Sequence, residues 1–154
     1  EVNISIGENQ LLLETDGLKI ISRLTEGNFP EYGGIVPKNF ETSCFVNRDV
    51  FINAVRASSI FASKLQEVTT AIKGKNLEVI SLNQEVGEYK NILPCASSGK
   101  DVVIGFNYHY LLDGLEATRE DEIFFGLNSE QSPSLIKNKS DNSFLYVLMP
   151  IRLS

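Results

Sequence analysis

The single histidine of the chain has two carboxylates at helical spacing. His109, Asp113 and Glu116 are related as i, i+4 and i+7, which places them on one face if the segment is a helix. A histidine and a carboxylate at i, i+4 could bind a metal ion, but three ligands without another histidine or a cysteine make a weak site. A solvated polar helix face is the alternative interpretation, and it is the one that we favour.

Other catalytic patterns are missing from the sequence. It contains no G-x-S-x-G elbow and no G-x-x-x-x-G-K-[ST] phosphate loop, and one histidine restricts base-assisted nucleophiles. Cys44 and Cys95 could pair, but two cysteines make no disulfide framework, and Cys95 in the strand-like ILPCAS is expected to be a buried structural thiol. We therefore expect no enzymatic activity and no cofactor.

Composition restricts the class of protein. The 154 residues are 42% hydrophobic and 22% charged, as in a soluble globular protein of one domain, or one domain plus part of another. Neither an apolar run of about 20 residues nor a leader-like start is present, so we expect a cytoplasmic protein that neither enters membranes nor is secreted. With 14 Lys+Arg against 20 Asp+Glu, a net charge of -6 predicts that any contact with nucleic acid is local or weak.

The first 39 residues have the pattern of a small sheet followed by a linker. Residues 1–24 alternate as strands do, with turns at Gly7-Glu8-Asn9 and Asp16-Gly17. Strands without a covering helix are expected to be the edge of something larger or the remnant of a truncated domain. Residues 26–39 contain three glycines and two prolines and are interpreted as a linker, part of which should lie against a folded surface.

From residue 41 onward the sequence repeats at an offset of 60. Asn47 and Asn107 each follow a strand-like run, ETSCFV or DVVIGF, and stand where a helix N-cap belongs. Three strand candidates follow each helix: VTTAIK, NLEVISL and YKNILPCA, then EIFFGL, SLIK and FLYVLMPI. This pattern predicts an α+β fold, a strand-helix-three-strand unit present twice, with two helices packed on antiparallel strands. Ala54 and Gly114 would let the helices approach closely.

Two further segments carry candidate surfaces. The first helix is expected to have an apolar face of Val50, Phe51, Ala54, Val55, Phe61 and Ala62, and a polar face of Asp49, Asn53, Arg56 and Lys64. At its end, Ile60 and Phe61 form either an exposed apolar knob or, if the helix ends early, a buried pair. The run from Phe144 to Ile151 predicts a strand covered on both faces. The linker from Pro30 to Val36 is one candidate for its neighbour, and a seam between them would be an apolar groove.

Three motifs, in order along the chain, resemble one family, the bacterial β sliding clamps, which are the processivity subunit of DNA polymerase III. The linker RLTEGNFPEYGGIVPKN resembles the connector between the second and third clamp domains. The run IGFNYHYLLDGL resembles a strand-to-helix joint of the third domain, and YVLMPIRL resembles the carboxyl terminus. The resemblance implies the DNA-clamp fold, with residues 1–37 as the end of a truncated middle domain plus connector and residues 38–154 as the C-terminal domain.

The resemblance also implies a function. Members of the family close as head-to-tail homodimers around duplex DNA, independently of sequence, and are not catalytic. Polymerase III, the clamp loader and repair polymerases dock short linear peptides in a hydrophobic pocket, here matched by Pro30, Tyr32, Ile35, Asn107, Tyr110, Pro133, Val147, Met149, Pro150, Ile151 and Arg152.

The same resemblance assigns two more surfaces. The dimer contact would fall on Ile60, Phe61, Glu85 and Glu88, with Lys90 among the acids. The DNA-facing cations would be Arg56 and Lys64, which act through water and few direct contacts because a clamp must slide. The rival interpretation is a generic peptide-binding adaptor that encircles nothing. An upstream continuation with two more domains of the same repeat would distinguish the two.

Overall fold

A computed structural model, which describes residues 1–140 and 142–152, divides the chain into two compact units, Glu1–Glu31 and Tyr32–Ser154. The first unit is an antiparallel sheet in the order β1-β2-β3, with β1 (Asn3–Ile6), β2 (Gln10–Thr15) and β3 (Leu18–Arg23). Gly7 N donates to Gln10 O at 2.8 Å in the first turn. Gly17 has a φ of 86° in the second turn, a conformation that favours glycine. The predicted strands and both turns are confirmed.

The second unit begins with a 3₁₀ turn at Tyr32–Gly34 and contains two helices and nine strands among its described residues. The elements are β4 (Thr42–Asn47), α1 (Arg48–Ser59), β5 (Glu67–Lys73), β6 (Asn76–Asn83), β7 (Gly87–Pro94), β8 (Ala96–Gly99), β9 (Val102–Asn107), α2 (Tyr108–Ala117), β10 (Glu122–Leu127), β11 (Ser134–Asn138) and β12 (Leu145–Leu148).

These strands form two antiparallel sheets, in the orders β12-β11-β10-β4-β8 and β7-β6-β5-β9. The two helices contact each other; α1 also contacts β5, β6 and β7, and α2 contacts β9 and β12. The predicted α+β class, with two adjacent helices on antiparallel strands, is confirmed, and the strands are shared between two sheets.

Both helices begin at the predicted asparagine. Asn47 Oδ1 accepts from Val50 N at 3.0 Å, and Asn107 Oδ1 accepts from His109 N at 2.9 Å. Both asparagines have extended backbone angles, as N-caps do, and such a cap contributes about 1 kcal/mol. The equivalence of the two joints is therefore confirmed.

The two halves of the repeat interlock through their backbones. Arg48 N donates to Asp121 O at 2.8 Å, and Tyr108 N donates to Gln66 O at 2.9 Å. β4, which leads into α1, pairs with β10, which follows α2, while β9, which leads into α2, pairs with β5, which follows α1. Each half therefore completes the sheet of the other.

Three phenylalanines connect a helix to both sheets in the core. Phe51 of α1, Phe106 of β9 and Phe125 of β10 are all 0% exposed. The ring centroids of Phe51 and Phe125 are 5.6 Å apart, and those of Phe106 and Phe125 are 5.9 Å apart. Because removal of a buried phenyl ring costs about 3–5 kcal/mol, this cluster is a principal source of stability.

The first helix is shorter than the sequence predicts. It ends at Ser59, and the bonds from Phe61 N to Ser58 O and from Ala62 N to Ser59 O form a tighter final turn. The Ser58 and Ser59 hydroxyls bond the carbonyls of Val55 and Arg56, which weakens the continuation of the helix. The predicted placement of Phe61, Ala62 and Lys64 on helix faces is wrong.

The buried face of α1 is also rotated relative to the prediction. Val50, placed on the apolar face, is 46% exposed, whereas Ile52 is only 7% exposed. The helix packs against α2 as well as against β5, β6 and β7. Its buried face is therefore wider than that of a helix that covers one sheet, and it includes Ile52.

The segment YKNILPCA is two strands, not one. β7 ends at Pro94 in the four-stranded sheet and β8 begins at Ala96 in the five-stranded sheet, where it pairs with β4. Between them, Cys95 N donates to Lys75 O at 3.0 Å. Cys95 is half-buried rather than buried; Cys44 is 1% exposed, and both thiols are free. Burial raises the pKa of both thiols.

The apolar tail is not covered on both faces. β12 is an edge strand that pairs with β11, and Leu145 and Met149 are 45% and 55% exposed, while Leu148 is 5% exposed. The prediction of a doubly covered strand is wrong, because apolar character alone does not distinguish a core strand from an edge with an uncovered surface. Leu153, at the end of the YVLMPIRL motif, lies outside the described residues.

Gly114 is required by a strand rather than by the neighbouring helix. A Cβ atom at this position would lie 2.5 Å from Tyr146 Cδ1 and 3.1 Å from Ile136 Cδ1. The expected packing reason for this glycine is confirmed, and the nearest atoms belong to β12 and β11.

Replacing Gly114 by alanine tests this contact, because the contact and helix propensity predict opposite signs for the change in the free energy of unfolding. Helix propensity alone would make Gly114→Ala stabilising by about 1 kcal/mol. We expect destabilisation of about 1–3 kcal/mol, because the methyl group overlaps the Tyr146 ring. Urea unfolding gives the comparison, and Tyr146→Ala provides the control background, in which Gly114→Ala should become neutral or stabilising. Stabilisation of the otherwise unchanged chain would contradict the contact.

Candidate functional site

The tail after β12 lies beside the start of α2. Ile151 N donates to Gly105 O at 2.9 Å. Gly105 lies in β9, two residues before the cap Asn107, so the tail pairs with β9 at this point. Tyr110, in the first turn of α2, is 60% exposed. The structure thus places Ile151, Asn107 and Tyr110 in one region, and the neighbours that it gives the tail are β11 and β9.

Pro133 and Met149 lie at the end of the β11–β12 pair. Ser134 pairs with Leu148 and Leu135 pairs with Val147, so Pro133 and Met149 directly flank the last paired residues. Pro133, Val147 and Pro150 are half-buried and Arg152 is exposed. Met149, Pro150 and Ile151 follow one another from the end of this pair toward β9.

Tyr146 is a member of this region that the sequence did not identify. Its ring packs on the core and on Gly114, and burial, followed by the Asp113 charge and the nearby Tyr110, raises its pKa. The glycine in α2 was the available signal, since a helix interior rarely keeps a glycine without a close neighbour.

Asn107 has less freedom to bind a ligand than its position suggests. Its Oδ1 caps α2, and its Nδ2 donates to Gln66 Oε1 at 3.3 Å. Because an amide nitrogen has two hydrogens, one donor remains for another group. The main role of Asn107 is therefore to stabilise the first turn of α2.

The linker residues of the predicted pocket have exposed side chains. Tyr32 and Ile35 belong to the 3₁₀ turn and its end, and they are 64% and 53% exposed. Of the linker residues expected to lie against a surface, Val36 is half-buried, whereas Phe29 is 83% exposed. Pro30 is an exposed residue of the first unit.

The residues predicted for a dimer contact meet around the β6–β7 hairpin. Phe61 stacks on Tyr89 with ring centroids 6.0 Å apart, and its ring would lie 3.8 Å from a Cβ on Gly87. Glu85 N donates to Asn83 Oδ1 at 3.0 Å in the hairpin turn, and Glu88 follows on β7. Ile60 is 70% exposed. Of the two open interpretations, the helix does end early, but Ile60 is exposed and only Phe61 is partly covered.

Three more exposed apolar side chains, not predicted from the sequence, belong to this part of the chain. Leu65, Leu82 and Val86 are 60%, 67% and 56% exposed. Leu82 pairs with Glu88 across the hairpin, and Leu65 and Leu82 line one surface depression with Glu85. Several exposed apolar side chains close to an edge strand are typical of a protein interface.

Lys90 does not stand free among the acids. Its Nζ lies 3.0 Å from Glu78 Oε1, and Lys73 Nζ lies 3.2 Å from the other oxygen of the same carboxylate. Hydrogen bonds from Lys90 and then from Lys73 lower the pKa of Glu78, against the opposing effect of burial.

The polar face shared by the helices contains an ion pair. Arg56 Nη2 lies 2.8 Å from Glu116 Oε1, and His109 and Asp113 are exposed. Lys64 lies beyond α1, in the turn before β5. Within residues 1–140 and 142–152 no group of three or more His, Cys, Asp or Glu could hold a metal ion, and no helix is long and apolar enough to cross a membrane.

Comparison with known proteins identifies the family. Residues 34–152 match the family described as DNA polymerase III beta subunit, C-terminal domain. The chain belongs to this family. Its match to the beta sliding clamps of Vibrio cholerae and of Escherichia coli K12 is 30% identical in each case, over 99% of the chain. It spans about 42% of the length of these curated relatives.

Solved structures agree with this assignment. A DNA polymerase sliding clamp from Bacillus subtilis superposes with a TM-score of 0.90 at 26% identity, over 99% of this chain and 41% of that one. The same coverage and TM-score, at 29% identity, relate it to a sliding clamp from Bartonella birtlesii bound to griselimycin. The sliding-clamp fold predicted from the sequence is confirmed.

The Glu78 cluster predicts an acid-dependent loss of stability beside the β7 edge. A carboxylate whose folded-state pKa lies below its unfolded value stabilises above the unfolded value, and the effect is lost as pH falls through the folded one. We expect Glu78→Gln to lower the urea midpoint at pH 7 and to differ less from the unsubstituted chain at pH 3. Glu88→Gln, which removes an exposed acid nearby, is the control and should show little change at either pH. Equal midpoint changes for Glu78→Gln at both pH values would contradict this role.

Proposed function

We propose that this chain is the C-terminal part of a bacterial sliding clamp, a noncatalytic processivity factor that encircles duplex DNA as a head-to-tail dimer. The family match over residues 34–152 carries this proposal. Relatives named beta sliding clamp, aligned over 99% of the chain, support it further. Such a protein works in the bacterial cytoplasm, where the replicated DNA is.

Within this proposal, residues 1–37 are the last strands and connector of a middle domain and residues 38–154 are the terminal domain. The division of the chain after Glu31 and the family match from residue 34 both support a boundary within the linker. A ring then needs further domains that precede these residues.

The surface around the tail is proposed to bind short linear peptides of the replicative polymerase, the clamp loader and repair polymerases. Its side of the pocket comprises Pro30, Tyr32, Ile35, Asn107, Tyr110, Pro133, Val147, Met149, Pro150, Ile151 and Arg152. Exposed Met149 supplies a flexible thioether for leucine and phenylalanine anchors of different partners. Arg152 and the remaining Asn107 donor supply the polar contacts.

The patch around the β6–β7 hairpin is proposed to be the dimer contact. Ile60 and Phe61 provide its apolar part, and Glu85 and Glu88 provide acids for a basic partner surface. The internal pairing of Lys90 with Glu78 supports an acidic rim, because it removes one free cation from that edge.

The polar faces of α1 and α2 are proposed to lie toward DNA, with Arg56 as a direct contributor and Lys64 at the margin. Exposed polar side chains and water there give weak contacts that do not depend on base sequence, as sliding requires.

A peptide titration tests the docking surface on this chain. A peptide of the type Gln-Leu-x-Leu-Phe should shift the backbone amide NMR signals of Tyr110, Val147 and Met149. Met149→Asp should weaken binding about tenfold or more, because it places an unpaired charge in an apolar contact. Leu82→Asp is the matched control, because it also replaces an exposed apolar residue by aspartate, but near the β6–β7 hairpin. It should leave binding unchanged. Shifts confined to other residues, or unchanged binding by Met149→Asp, would refute the placement.

Encirclement is a topological property and has its own test. The protein with the preceding domains, once assembled on a closed circular duplex, should stay on the circle during gel filtration. It should dissociate when a nuclease linearises the DNA, because a ring slides off an end. Equal retention on circular and linear DNA would exclude encirclement and favour an adaptor that binds DNA or its partners directly.

A further inference from the structure

The two arginines of α1 are held differently. Arg48 donates to Thr118 O at 2.8 Å and to the Asp49 carboxylate, and its side chain is 24% exposed. Arg56 has Glu116 as its acid partner at 2.8 Å and is 59% exposed. Arg48 therefore connects α1 to the end of α2, whereas Arg56 is exposed to solvent and is paired with one carboxylate.

The Arg56–Glu116 pair occupies a special place in the duplicated fold. The two positions are 60 residues apart, which is the offset of the internal repeat, so equivalent positions of α1 and α2 meet across the helix pair. Both residues line a surface depression of about 430 Å³ with Arg48, Asp49, Ile52 and Asn53. The pair thus connects the polar side chains of α1 to α2.

The charges of this face leave little attraction for a polyanion. The helices contain two arginines, Arg48 and Arg56, and the acids Asp49, Asp113 and Glu116. An exposed ion pair is worth little, so its members exchange partners readily. A DNA phosphate and the Glu116 carboxylate offer Arg56 the same kind of acceptor, and only one of them can hold it in a given geometry.

We propose that Glu116 is an internal competitor of DNA phosphate for Arg56 and thereby weakens the grip of this domain on the duplex. The inference rests on the proposed placement of DNA along the polar faces of α1 and α2. Glu116 positions Arg56 away from phosphate until DNA displaces it, so the arginine contributes only part of a phosphate contact. A loose contact of this kind favours movement along the duplex over residence at one place.

The test compares two substitutions that each remove one negative charge from α2. A short duplex of mixed sequence is titrated at low salt into the isotope-labelled 154-residue chain, and binding is followed by the amide NMR signals of α1 and α2. We expect Glu116→Gln to tighten binding about two- to fivefold. The logarithmic salt dependence should also steepen, by less than the roughly 0.9 of a whole phosphate contact, since Arg56 then completes a contact that it makes only in part beside Glu116. Asp113→Asn, on the same exposed face, should tighten binding less and leave the salt slope unchanged.

Arg56→Gln connects the effect to the arginine. In the Arg56→Gln background, Glu116→Gln should give no more gain than Asp113→Asn, and thermal unfolding by circular dichroism should show all variants folded. Equal gains and slopes for Glu116→Gln and Asp113→Asn, with DNA still shifting the helix signals, would overturn the inference and leave the proposed function intact. DNA-induced shifts absent from both helices in every variant would overturn the inference and the proposed DNA face together.

Discussion

The reciprocal backbone bonds at the start of the two helices are the constraint on which the second unit depends. Arg48 N donates to Asp121 O and Tyr108 N donates to Gln66 O, so each helix starts beside the residue that leads into the strand after the other helix. Neither half of the repeat can complete its own sheet, and the core phenylalanines of α1, β9 and β10 come together only when both halves are present. The candidate surfaces are consequences of this arrangement, because it sets α1 beside α2 and the tail beside β9.

Local chemistry made the joints predictable. Asn47 and Asn107 were identified because an extended run followed by asparagine and an apolar helical pattern has one common structural solution. The strands of residues 1–24 were equally accessible, since their turns contain glycine and their apolar residues alternate. Features that depend on residues distant in the sequence cannot be predicted in this way. The end of α1 depends on two serine hydroxyls, the rotation of its buried face depends on α2, and the change of sheet at Cys95 depends on Lys75 and β4.

The candidate sites also combine features that the sequence predicts with features that only the fold reveals. Family motifs pointed to the tail and to Ile60, but only coordinates could show that Met149 is exposed while Leu148, its neighbour, is buried. Asn107 illustrates a residue with two roles, since the side chain proposed to meet a peptide also holds the first turn of α2. Leu82 and Val86 are not predictable from the sequence, because an exposed apolar residue in a strand or a turn has no local signature. Their significance comes from Phe61, which contacts the same hairpin from the end of a helix.

The bond between Ile151 and Gly105 has a mechanical consequence. A partner bound at the tail, as proposed above, would pull on the last few residues, and an edge strand of four residues such as β12 would separate from its neighbour one bond at a time. Ile151 instead joins β9, which pairs along its length with β5 and runs directly into α2. A load on the tail would therefore be shared with a second sheet and a helix and would not fall on the β11–β12 pair alone.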